Sequence, residues 1–136
     1  MGGGRDDGPP GELSNAISNA IVALMADYTG RGPSQSQTYV HENLVVCILH
    51  DGLTKGEQSL VMDGKEDAVL QMRRTFQSTM RTELIAVVEQ LTGRTVAAFM
   101  SDNHVNPDVA VETFVLELRD GAPIVSEDDT GRRAPA

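Results

Sequence analysis

The chain has 136 residues, 40% apolar but only 4% aromatic, and a formal charge of -9. That length suits one core rather than two, and the core must be built from Val, Leu, Ile, Met and Ala. The acidic excess argues against nucleic-acid binding and against contact with anionic lipid, both of which draw on Lys and Arg. Trimming the ends does not help, since residues 12–120 hold eight Lys or Arg against fifteen Asp or Glu.

The opening "MGGGRDDGPPG", residues 1–11, is rich in Gly and Pro and charged, and reads as a disordered leader. It has no basic-then-apolar pattern of a secretory signal. Leu13, Ala16, Ile17, Ala20, Ile21, Leu24 and Tyr28 then recur at helical spacing, predicting a helix over 12–29. Next, "TYVHENLVVCILH", residues 38–50, is β-branched and apolar and is expected to be one central strand. Its run Leu44–Leu49 is the longest apolar stretch and too short to cross a bilayer, so direct membrane insertion is not expected.

Thr54 and Glu57 have the spacing of a capping box and predict a short helix that stops near Gly64. A long helix follows over 65–91, with Val69, Met72, Phe76, Met80, Leu84, Val87 and Leu91 as its buried stripe and Gly93 as its cap. "RTVAAFMS" and "VETFVLELR" read as strands around the turn "DNHVNPD". The tail over 121–136 reads as disordered and acidic. The expected fold is α+β in two layers: order α-β-α-α-β-β, with a small, mostly antiparallel sheet packed against helices and a single domain over 12–120.

"TGRGP" (residues 29–33) ends the first helix. Gly30 suits a left-handed cap, and Pro33 forbids continuation. Gly30, Arg31 and Gly32 also offer a speculative anion loop, but phosphate loops usually precede helices rather than follow them. A helix stop is the first reading, with Arg31 left over. Arg73, Gln77 and Arg81 share a helical face, and Arg74 and Lys65 lie nearby. The plain reading is a solvated face. The sharper one is a basic patch for a small anion or nucleotide near Arg31, Arg73 and Arg74.

Cys47 lies among Val45, Val46, Ile48 and Leu49, as a small buried hydrophobe would. A lone cysteine makes no internal disulfide, which fits a reducing cytoplasm. His41, His50 and His104 are scattered and lack the spacing of metal ligands. Neither a nucleophile elbow nor a Walker loop is present. No catalytic residue, metal or cofactor is therefore expected. The order β-α-α-β-β also allows a KH-like reading, but the junction "MDGKEDAV" lacks the Gly-x-x-Gly clamp that would hold a nucleic-acid backbone.

The helix ending in "TGRGP", the strand running into "GLTKGEQSL", the helix closing with "LTGRTVAAFMSD" and the final "VETFVLEL" together resemble the MpsC-like domain, over roughly residues 12–119. The positions carrying the likeness are Gly30, Arg31, Gly32, Pro33, Leu53, Thr54, Glu57 and Gly93. The resemblance implies a bacterial, cytoplasmic accessory or regulator of a sodium-translocating, membrane-potential-generating system linked to bicarbonate. Its partner would be a membrane transport-system protein. A homodimer is expected because a three-stranded sheet leaves edges to cover.

Overall fold

The computed structural model describes residues 11–118. Apart from Gly11, the expected disordered leader lies outside the described residues, as does the tail over 121–136. The fold is α+β. Helix α1 (Glu12–Thr29) is followed by strands β1 (Gln35–His41) and β2 (Leu44–His50), helices α2 (Lys55–Met62) and α3 (Glu66–Thr92), and strands β3 (Val96–Val105) and β4 (Asp108–Leu116). The strands form one antiparallel sheet in the order β1-β2-β4-β3.

The expected central strand over 38–50 is corrected to a hairpin, so the sheet has four strands rather than three. Glu42 takes a left-handed conformation, φ 53°, and folds the run back so that Thr38 pairs with Cys47 and Val40 with Val45. "HEN" has neither Gly nor Pro, so the usual turn signal is missing. The second hairpin is also tighter than expected. Asp102, Asn103 and His104 are ladder residues of β3, and the turn is only Asn106-Pro107.

One sheet face carries the core. Val45, Cys47 and Leu49 of β2 and Phe114 and Leu116 of β4 meet Ile17, Ile21 and Met25 of α1 and Met80, Leu84 and Val88 of α3. Phe99 adds a tilted ring contact with Phe114 at 5.1 Å. Burial raises the Cys47 thiol above its usual range, consistent with a packed side chain rather than a nucleophile. Gly30 and Gly93 cap α1 and α3 with φ 83° and 70°. The box at α2 is complete, with Thr54 Oγ1 accepting from the Glu57 amide and Glu57 accepting from the Thr54 amide.

Candidate functional site

The buried stripe of α3 keeps Val69, Met80 and Leu84 but is otherwise shifted by one residue, with Val88 buried in place of Val87 and Leu91 exposed. Met72 is exposed, Phe76 is only partly covered, and Arg73 and Gln77 are buried. The expectation of a solvated Arg73–Gln77 face is therefore corrected. The reason lies in the partners, because each polar group that turns inward finds one fixed by another element. Arg81, farther along, lies over the Phe99 ring at 5.4 Å.

Arg73 ion-pairs with Glu57 through both carboxylate oxygens, with Nε to Oε2 at 3.0 Å, and Nη2 also donates to the Gly52 carbonyl at 2.7 Å. Glu57 thus caps α2 and clamps α3 with one carboxylate. Burial pushes its pKa up, but the hydrogen bonds from Arg73 and Thr54 outweigh burial and hold it below the ordinary value.

Gln77 exchanges two hydrogen bonds with Asn103 of β3, at 3.1 and 2.8 Å, and donates to Glu112 Oε2 at 3.3 Å. Glu112 is fully buried in β4, opposite Ser101 in β3. Neither Glu112 Oε1 nor Ser101 Oγ has a partner within hydrogen-bond geometry among the described residues. Burial raises the Glu112 pKa to about 7, with the Ser101, Gln77 and Arg73 dipoles and charge opposing it. A buried carboxyl with an unspent oxygen is costly when ionised.

Arg31, in the loop after α1, reaches the same region. Its Nε donates to the Asp51 carbonyl at 3.1 Å, one residue before the carbonyl that Arg73 holds. Arg31 and Arg73 both line a cleft of about 460 Å³, counting the part open to solvent. It is also lined by Phe76, by the buried side chains of Met25, Leu49 and Met80, and by Asn103, His104 and Asp108.

The other candidate anion residues separate. Gly30 is spent on the helix cap, its amide donating to Ala26. Gly32 packs so closely that a Cβ would come within 3.3 Å of Val22. Arg74 is exposed and donates to Gln71, away from the cleft.

The sequence reading missed Glu57 as a partner of Arg73, placed Gln77 on a solvated face, and missed Asn103 and Glu112 altogether. Glu112 had a signal, since it lies in phase with Phe114 and Leu116 on the covered side of β4. Asn103 had none while its segment was read as a turn.

The second feature is the outer sheet face. Four rows of four side chains cross it, among them Tyr39-Val46-Thr113-Met100 and His41-Leu44-Val115-Ala98. Tyr39 and Met100 are each more than half exposed, and no described helix covers this face. Asp102 is its one carboxylate, and no Lys or Arg lies in these rows.

Residues 10–118 match the family model described as the Na+-translocating membrane potential-generating system (MpsC). Nothing similar was found among curated proteins or among solved structures. The chain belongs to the MpsC family, whose model covers every described residue. Among the described residues, no helix is long and apolar enough to cross a membrane.

Proposed function

We propose that this MpsC-family chain is a non-enzymatic, soluble, cytoplasmic accessory or regulatory component of a membrane-potential-generating system, and that it works as a homodimer through protein contacts. The observation that supports this most is the open sheet face. An antiparallel sheet can leave one face wet, but such a face then usually alternates to polar residues. Here its two central strands present Leu44, Val46, Ile48, Val111 and Val115, with Thr113 among them and His50 and Val109 at one end.

The occupant that fits is a second copy. In a chain of charge -9, a face with a single carboxylate is where two copies meet with little like-charge repulsion. Pairing about a twofold axis makes the contact self-complementary, each contact between two residues occurring twice. Four rows of four side chains fall below the roughly 20–30 residues a side of a standard interface, so the dimer is a reversible one.

Sedimentation velocity over a concentration series tests this. The native chain should run at twice its 14.6 kDa mass at high concentration, and Val46→Glu should run as a monomer that still melts cooperatively. In cells lacking the chain, a potential-sensitive dye should report a weakened sodium-dependent potential, restored by the native chain but not by Val46→Glu. A native chain that stays monomeric overturns the dimer. Full restoration by Val46→Glu overturns the role of this face.

A further inference from the structure

We infer that the open sheet face is a pH-gated contact: two copies meet on it while His41, His50 and His104 are neutral, and protonation of these rings drives the copies apart. This deepens the reading of that face as the homodimer contact and rests on it.

The fold gathers what the sequence scatters. The chain has three histidines, and all of them lie in the four rows of the open face. His50 and His104 stand in one end row, Gln35-His50-Val109-His104, and His41 stands in the opposite end row with Leu44, Val115 and Ala98. They flank the apolar middle on both sides, so a second copy that covers the whole face covers them too. With the rings neutral, the face carries the single charge of Asp102. With all three protonated it carries three positive charges against that one. Histidine is the side chain that makes this change near neutral pH.

The surrounding charges rank the three rings. His41 has the Glu42 carboxylate 3.9 Å from its Nε2, and the Arg94 guanidinium sits on the Glu42 carbonyl. His104 shares its side of β3 with Asp102, and its Nδ1 donates to the Pro107 carbonyl at 2.8 Å, so acid adds the second proton at Nε2. His50 is half-buried between Gln35 of β1 and Val109 of β4, neither of which can offset a charge. Asp51, next in the chain, and Asp108, beside Val109, each accept a hydrogen bond elsewhere, from Ser34 Oγ and the Leu53 amide, and Arg31 holds the Asp51 carbonyl. His50 is therefore the ring whose charge is least compensated.

Acid has two opposing effects on two such copies, and their ranges set the sign. The whole chain carries -9, so protonation anywhere on it relieves repulsion between copies at a distance. That effect is screened over about 8 Å at physiological salt. A charge inside an apolar contact is not screened and has lost its water. The local penalty outweighs the distant relief, and acid loosens the dimer. A contact free of histidine would instead tighten in acid.

Sedimentation equilibrium of the full chain at pH 7.5 and 5.5, at one ionic strength, reads the dissociation constant. The native constant should rise by at least about tenfold at pH 5.5. His50→Gln, which stays neutral, should remove most of that rise, and the triple variant with His41→Gln and His104→Gln should remove all of it. His50→Arg should already dimerise weakly at pH 7.5. These rings face away from the core, so the variants keep the fold. Glu112, on the covered side of β4, titrates in the same range but is present in every variant. A native dimer that holds equally or tightens at pH 5.5 overturns the gating and leaves the dimer standing, as does a triple variant that still loosens. A native chain that is monomeric at both pH values overturns the dimer, and the gating with it.

Discussion

Over its second half, α3 presents Met80, Leu84 and Val88 to an apolar cluster that includes Ile21, Val45 and Phe114. Over its first half it presents Arg73 and Gln77 and meets Glu57, Asn103 and Glu112. The two halves share one helix and one sheet, yet they are held by different physics. Apolar contact is non-directional, and a buried Leu is satisfied by any close neighbours. Each buried hydrogen bond has one partner at one distance, so the polar half fixes where α2, α3 and the β3–β4 hairpin meet. The cleft lined by Arg31 and Arg73 lies at that polar half.

Breaking the polar half should cost the most. Arg73→Met strands the Glu57 carboxylate and should destabilise the fold by about 3–5 kcal/mol in urea unfolding. Adding Glu57→Gln should recover much of that loss, because no buried charge is then unpaired. A single-variant loss under about 1 kcal/mol would mean that the pair is no more than a surface bridge. In the apolar half, Leu84→Ala should cost about 2–5 kcal/mol with no second change able to restore it.

Glu112 sharpens the comparison by pH. Its carboxyl has an ordinary value of 4.5 and is raised to about 7 by folding. Below 4.5 it is protonated in both states and costs nothing. As pH rises from 4.5 to about 7, only the unfolded chain ionises freely, so stability falls, and above 7 the loss is complete. The shift corresponds to about 3 kcal/mol. Glu112→Gln should therefore stabilise the protein by about that amount at pH 8, leave it unchanged at pH 4, and flatten the profile between. An unchanged profile would mean that the carboxyl is not the titrating group. Glu57, held low, works in the opposite sense, contributing stability at neutral pH that is lost as acid protonates it. The smallest effect is at the cap, where Thr54→Ala should cost about 1 kcal/mol through the lost bond to the Glu57 amide.

Much of the fold was legible because its signals are local. The α1 periodicity, the Gly30 and Gly93 caps and the Thr54–Glu57 box each depend on residues within about a turn of one another. The hairpin at Glu42 was not legible, because a non-glycine residue takes the left-handed turn there and the strands on either side are apolar enough to read as one. Arg73 and Gln77 were misread for a related reason. Charge and amide content marked them as solvent-facing, and nothing nearby in the chain announces a partner 16 or 35 positions away.

The sequence by itself determined the element types, the helix ends, the burial of Cys47 and the likeness to MpsC, since propensity, capping and apolar period are properties of short segments. Only the tertiary structure decided that Arg31 and Arg73 share a cleft, that Glu112 is sealed beneath the sheet and that the other sheet face stays open. Those are facts about which distant segments meet. A buried charge is stable or costly according to a partner that the local chain does not contain.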